Sequence, residues 1–422
     1  MKQVEALEVL KSGANVFLTG EPGAGKTYTI NLFNEWANEK GIFPAITAST
    51  GIAATHISGV TIHSYAGIGI KEKITPHDIN LILGKEYVVR RIAETEILII
   101  DEISMLNAST LDNVDYVMRE VRAFALDNDS LRGKAFGGVQ VIFVGDFFQL
   151  PPVSKGTQAK FAFESQAWLT ASPKICYLTE QHRQNDGPFL SLLTAMRAGK
   201  LKKEHKTLLV KAKRKAPKDI TRLFTHNADV DRVNAEELSK LVGEKKTFRM
   251  RSSGIPFLVD VLKKNCLSPE LLELKIGAPV MFTRNESRNE DGEGGRFVNG
   301  TLGVVEEMAG NFIAIRTKDD RRIVVNDQAE WSIEEHGQTK ASIEQYPLRL
   351  AWAITVHKCQ GMSLDAAMMD LSAAFEYGQG YVALSRVRSL EGLYLEGINA
   401  KALEMHPVVV KRDGMFRKLS GV

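Results

Sequence analysis

The chain has 422 residues, 44% hydrophobic and 25% charged, the make-up of a globular protein long enough for more than one core. No apolar run reaches the roughly 18 residues a membrane-spanning helix requires, and Met1–Leu10 reads as a helix start rather than a signal peptide, so a cytoplasmic protein (nucleoid-associated if prokaryotic) without a membrane partner is expected. The 54 basic and 51 acidic side chains leave a net charge of only +3, so any DNA binding must use a local groove, and Cys176, Cys266 and Cys359 have neither disulfide nor metal-ligand spacing.

The first third alternates short apolar strands with helical stretches. Asn15–Gly20, Pro44–Thr50, Ile97–Glu102 and Val139–Asp146 are near-continuous apolar runs bounded by Gly or Asp, as expected of strands buried on both faces of a parallel sheet. Helical spacing follows each, as over Lys26–Lys40, which predicts a doubly wound α/β domain. Ile175–Thr179, Thr221–Thr225, Pro279–Thr283, Ala367–Leu371 and Gly392–Glu396 suggest a second α/β domain without a phosphate loop of its own. Lys200–Lys218, rich in lysine, reads as a solvated helical face or part of a DNA track. Arg284–Gly300 is turn-rich and polar, and so expected as an exposed loop. Thr301–Val305, Phe312–Thr317 and Arg322–Asn326 read as short strands of an inserted β module. The expected division is residues 1–170 and 171–422.

Gly20-Glu21-Pro22-Gly23-Ala24-Gly25-Lys26-Thr27 matches G-x-x-x-x-G-K-[ST] and lies between a buried strand and a helix, where the motif has meaning. Its glycines let backbone N–H groups close on phosphate oxygens, and the helix dipole favours the anion. Lys26 is expected to bridge the β and γ phosphates of ATP, and Thr27 to ligate Mg²⁺. Asp101-Glu102 ends a strand. Asp101 there can hold Mg²⁺ through water, and Glu102 can act as general base; the alternative is two solvated acids.

From here the residues resemble a known family. D-E-I-S-M-L (Asp101–Leu106), F-G-G-V-Q (Phe136–Gln140), G-D-F-F-Q-L-P-P-V (Gly145–Val153), L-T-E-Q-H-R-Q (Leu178–Gln184), P-L-R-L-A-W-A-I-T-V-H-K-C-Q-G-M-S-L-D (Pro347–Asp365) and Y-V-A-L-S-R-V-R (Tyr381–Arg388) are similar to motifs of the petite-integration-frequency helicases, in the B branch of helicase superfamily one. The resemblance covers nearly the whole chain. It implies an ATP-dependent DNA helicase moving 5′ to 3′ on single strands, with two RecA-like parallel-sheet motor domains and ATP between them. It also implies a short wedge insertion near 67–91 and a small Src-homology-like β-barrel near 286–345. The partners implied are single-stranded DNA and forked or tailed duplex, bound by a monomer, in repair, recombination, replication or telomere maintenance.

Residue by residue, the resemblance makes Gln149 a γ-phosphate sensor, and Arg183 and Arg386 arginine fingers, whose planar fork suits phosphate oxygens. Gln3 would read adenine, with Tyr28 and Gly361 also at the nucleotide. Thr47, Ser49, Thr50, Gly51 and His63 would line the strand path in the first domain, as Asn227, Thr355, His357 and Lys358 would in the second. Phe148, with Phe147 and Phe282, is a candidate for stacking on bases, with core packing as the alternative. The loop departs from the family, where A-G-T-G-K is more usual than Pro22-Gly23-Ala24-Gly25-Lys26, and its Glu21-Pro22 and its Ala24 in place of Thr are unexplained. A Dda-like or RecD-like helicase, a nucleotide-gated DNA-binding switch and a passive binding module with a decayed motor are the competing readings.

Overall fold

The computed structural model describes residues 1–421 apart from 57–58, 70, 153–159, 181–185, 218–219, 285, 287–295, 298, 311, 318 and 336–337. The chain forms two compact units: Met1–Lys206 with Glu376–Ser385 and Ala400–Val422, and Thr207–Phe375 with Arg386–Asn399.

The first unit is built on six strands: β1 (Val16–Gly20), β2 (Ala45–Ala48), β3 (Val60–Thr61), β4 (Ile97–Asp101), β5 (Gln140–Val144) and β6 (Lys174–Leu178). They pair in the order β3-β2-β4-β5-β1-β6, every neighbour parallel. All five residues of β1 are buried, as the continuous apolar run required. Val16 and Leu18 face the helices Gln3–Lys11 and Lys26–Glu39 through Leu10, Ile30 and Phe33. Phe17 points the other way, into an aromatic layer with Phe147, Trp168 and Phe416. The strand expected at Ile175–Thr179 therefore belongs to the first sheet, pairing with β1 from Val16↔Lys174 to Gly20↔Leu178. Strand order in a parallel sheet depends on distant pairing, which local sequence does not carry.

Between β3 and β4, the helices Pro76–Leu83 and Glu86–Glu94 fill the stretch expected as a wedge. The first starts on a capping box between Thr75 and Asp78, with Pro76 in its first turn. Asn113 accepts from the Ile74 amide at 3.2 Å, and Arg91 donates to the Tyr65 carbonyl at 2.6 Å.

The second unit contains β7 (Arg222–Phe224), β8 (Lys246–Arg249), β9 (Arg251–Gly254), β10 (Leu271–Leu274), β11 (Pro279–Phe282), β12 (Leu302–Ala309), β13 (Phe312–Thr317), β14 (Arg322–Val325), β15 (Ala329–Glu335), β16 (Gln338–Gln345), β17 (Leu348–Leu350), β18 (Ala353–Thr355), β19 (Ala367–Leu371) and β20 (Leu393–Ile398). A parallel sheet runs β18-β7-β19-β20. The rest are antiparallel: β14-β13-β12-β11-β17, β15-β16-β9 and β10-β8. The strand read at Pro279–Thr283 is thus part of the inserted β region, which starts at Lys246 and is wider than sequence suggested. Its core gathers Leu272, Val280, Phe282, Ile313, Ile315 and Leu348, with Phe297 stacked on Phe282 at 3.9 Å. Most of the loop expected at Arg284–Gly300 lies outside the described residues. No helix among the described residues is long and apolar enough to cross a membrane.

All three thiols are shielded. Cys176 and Cys359 are buried and Cys266 partly so. Burial pushes their pKa values up, to about 11 for Cys176 and Cys266 and about 12 for Cys359.

Candidate nucleotide site and strand path

Parallel register brings the C-terminal ends of β1, β4 and β5 to one edge of the first unit, where ligands of open α/β sheets bind. The phosphate loop leaves β1 there. Gly23 and Gly25 hold φ of +89° and +87°, and Gly25 caps the helix Lys26–Glu39 in the left-handed conformation. A side chain at Gly25 would strike Gln3, whose Nε2 donates to the Ala24 carbonyl at 3.2 Å. Gln3 therefore lies against the loop, fixed by its own amide donating to Glu180 at 2.7 Å, although the sequence put it near a terminus. Lys26 Nζ donates to the carbonyls of Gly20 (2.9 Å) and Glu21 (3.2 Å). Pro22 and Ala24 are buried, while Thr27 and Tyr28 are exposed on the first turn of the helix.

Asp101 ends β4, its Oδ1 accepting from the Glu102 amide at 2.8 Å. Burial raises its pKa, and the Lys26 ammonium acts in the opposite sense. Glu102 sits at φ 50°, ψ 44°, a left-handed backbone uncommon for a non-glycine residue and frequent at functional sites. After β5 the chain turns through Gly145 and Asp146. Asp146 accepts from the Phe148 amide at 3.1 Å, and its carbonyl accepts from the Gln149 amide at 2.9 Å. Gly378 packs on the outside of this turn at φ +76°; a Cβ there would overlap the Phe148 carbonyl and lie 2.7 Å from the Gln149 carbonyl. The residues fit the groups the motif implies. Lys26 is already paired with carbonyl oxygens in the loop, Asp101 is a desolvated acid that a cation would relieve, and the Thr27 hydroxyl lies on the helix's first turn.

Several side chains expected along the strand path have partners within the protein. Thr47 is fully buried and its hydroxyl donates to the Ile99 carbonyl at 2.7 Å, while the Ser49 hydroxyl donates to the Glu102 carbonyl at 2.8 Å. The first bond ties β2 to β4, and the second joins the residues that follow those two strands. Phe148 is 4% exposed with the Arg197 guanidinium 4.2 Å from its ring centroid, and Phe147 and Phe282 are core residues. None of the three is open to a base. Thr50, Gly51 and His63 remain part-exposed; Thr50 accepts from the Ala53 amide at 3.2 Å, and burial lowers the His63 pKa.

In the second unit Asn227 is exposed at the start of the helix Asn227–Lys240. Thr355, His357 and Lys358 follow one another out of β18, the Thr355 hydroxyl accepting from the Lys358 amide at 3.4 Å. Burial, with the nearby charge of Arg349, pushes Lys358 down to about 8. Arg349 is buried, and its Nε and Nη1 have no hydrogen-bond partner among the described residues. Gly361 is exposed at φ +80°. Arg386 is buried, with Nη1 donating to the Met362 carbonyl at 3.2 Å. Arg183 lies outside the described residues.

Sequence reading missed Arg197. It is 3% exposed and donates to Asp146 at 2.6 Å, Tyr381 at 2.9 Å and Tyr177 at 2.7 Å. A signal was there: Phe189, Leu192, Leu193, Met196 and Arg197 lie on one helical stripe, and a cation on an apolar stripe needs a buried partner.

A phosphate loop on a parallel sheet, an acidic pair at the end of β4 and an amide on the turn after β5 define a nucleotide-hydrolysing enzyme of the RecA-like class. Comparison with known proteins narrows this. Residues 1–207 match the model of the PIF1-like helicases. A relative from Psychrobacter sp. strain PRwf-1, named ATP-dependent DNA helicase Pif1, is 41% identical over all of this chain and 71% of its own length. The Pif1 helicase structure from Candida albicans superposes with TM-score 0.82 at 31% identity, covering 98% of both chains. That of Bacteroides Pif1 with ADP-AlF3 and single-stranded DNA gives 0.70 at 30% identity, covering 99% of this chain and 97% of that one. The chain belongs to the PIF1-like helicase family. It spans only 62% of the length of the human relative.

Proposed function

We propose that the chain is an ATP-dependent DNA helicase that translocates 5′ to 3′ along single strands and unwinds forked or tailed duplex. The observation that carries the proposal is Lys26 held in the loop after β1, with Asp101 and Glu102 at the end of β4 on the same sheet edge. The Bacteroides relative's complex with a nucleotide analogue and single-stranded DNA supports the same reading.

In this reading the loop amides and Lys26 take the phosphates, Gln3 reads the base, Glu102 accepts the proton of the attacking water and Gln149 senses the γ-phosphate. Mg²⁺, held by Thr27 and through water by Asp101, would neutralise phosphate charge. Arg183 and Arg386 act as arginine fingers by motif match, and Tyr28 and Gly361 are assigned to the nucleotide on the same ground. Thr50, Gly51, His63, Asn227, Thr355, His357 and Lys358 hold strand phosphates without reading sequence. The inserted antiparallel region is read as a small Src-homology-like barrel, the helices at 76–94 as the wedge, and the working form as a monomer. Duplex steps cost only about 1.4 kcal/mol on average, so directional grip matters more than force.

Matched duplexes with 5′ and 3′ single-stranded tails test this directly. Opening of the 5′-tailed substrate with strand-stimulated ATPase is expected. Opening only of the 3′-tailed substrate refutes the polarity, and ATPase indifferent to single strands favours the nucleotide-gated switch.

A further inference from the structure

Glu21, the loop residue that departs from the family pattern, faces two ways. Its carbonyl accepts from Lys26 Nζ at 3.2 Å. Its carboxylate Oε1 lies 3.8 Å from Arg197 Nε and 3.8 Å from Arg417 Nη2, with only 17% of the side chain exposed. The two arginines share a cluster within the first unit, Arg197 buried and Arg417 partly exposed. Arg197 pairs with Asp146 at 2.6 Å, and Arg417 with Asp413 at 2.9 Å. The Tyr177 hydroxyl accepts from both at 2.7 Å and donates to Asp413 at 3.0 Å. Burial works against the charge on Arg197, but Asp146 and the surrounding groups outweigh it and hold the guanidinium charged. Arg417 and Asp413 belong to the helix Pro407–Leu419, so the C-terminal helix contributes directly to the surroundings of the phosphate loop.

We propose that Glu21 is a positioning residue for nucleotide binding, whose carboxylate tethers the phosphate loop to the Arg197–Arg417 pair and through it to the helix Pro407–Leu419. The tether fixes the Glu21 carbonyl, and so the resting place of Lys26, before phosphates arrive. Such preorganisation lowers the ordering cost of binding. It also links the loop to Asp146, which shapes the turn carrying Gln149. Each arginine keeps its own aspartate when Glu21 is neutralised, so the fold survives that change while the tether does not.

The proposal rests on the phosphate loop being the nucleotide site, and the test separates the two. The full chain and its Glu21→Gln, Glu21→Asp, Arg417→Gln, Glu21→Gln/Arg417→Gln and Lys26→Ala variants are titrated with a fluorescent ADP analogue. The KM and kcat of strand-stimulated ATPase are then measured. Glu21→Gln and Arg417→Gln are each expected to weaken ADP binding and raise KM for ATP about threefold to tenfold, with kcat within about twofold. Glu21→Asp should recover part of the loss, and the double variant should be no worse than the singles. Wild-type ADP affinity in Glu21→Gln overturns the tether, even if its melting temperature falls, as do factors that multiply in the double variant. Turnover surviving in Lys26→Ala overturns the nucleotide-site reading itself.

Discussion

Replacing Gly378 with alanine should damage the sensor turn from outside. The residue holds φ +76°, and an added Cβ would overlap the Phe148 carbonyl and come within 2.7 Å of that of Gln149. The left-handed backbone costs an L residue about 1–2 kcal/mol. Forcing packed backbone apart adds about 1–3 kcal/mol. Together these give roughly 2–5 kcal/mol, or a fall of about 4–20 °C in melting temperature for a unit of this size. The atoms in the way are carbonyls of the turn itself, so Gln149 moves with them. The ATPase kcat is therefore expected to fall more than KM rises. Gly414 supplies the control: it lies inside the helix Pro407–Leu419 with nothing within 4 Å of its virtual Cβ. Alanine there should add about 0.5–1 kcal/mol, because helical glycine costs entropy. Thermal unfolding and steady-state ATPase of both variants decide the matter. A Gly378→Ala protein that melts at or above the wild-type temperature, with unchanged kcat, refutes the reasoning.

Other outcomes follow from the same geometry. Lys26→Ala should lose ATPase and unwinding while keeping single-strand binding, measured by anisotropy of a labelled oligonucleotide; unwinding that persists removes the motor assignment. Glu102→Gln should bind nucleotide normally and lower kcat about a hundredfold or more, as expected for loss of a general base; a smaller effect in single-turnover assays would disqualify Glu102. Lys358, held down to about 8, carries its charge below that pH and loses it as pH rises through it. Single-strand affinity should therefore weaken between pH 7 and 9, a phosphate contact moving the midpoint upward, and Lys358→Arg should flatten this step. Gln3→Ala should raise KM for ATP severalfold and relax the preference for adenine, read from ATP and GTP turnover side by side.

The candidate nucleotide site was legible because its parts are local. Gly20–Thr27, Asp101-Glu102 and Gly145–Gln149 each follow a buried strand, and a parallel sheet brings such strand ends to one edge. What packs on those parts was not legible. Arg197 reaches Asp146 across 51 residues, and Tyr177 reaches Asp413 across 236. Thr47 and Ser49 show the opposite limit. Their residue types suit phosphate contacts, but only the pairing of β2 with β4 reveals that their hydroxyls are spent on main-chain carbonyls. The three-residue strand β18 and two-residue strand β3 are too short for periodicity to register, and β6 joined the first sheet through a distant pairing.

The shielding of the three thiols has a practical consequence for anyone watching this molecule move. Pushed to about 11 or 12, each is a thiolate in only about one molecule per ten thousand or fewer at neutral pH, and the thiolate is the species that reacts. Toward maleimide dyes the wild-type chain should be nearly silent. A single cysteine placed on an exposed position such as Val242, which is 95% exposed, would then carry the label almost alone, without first stripping out the native sulfurs.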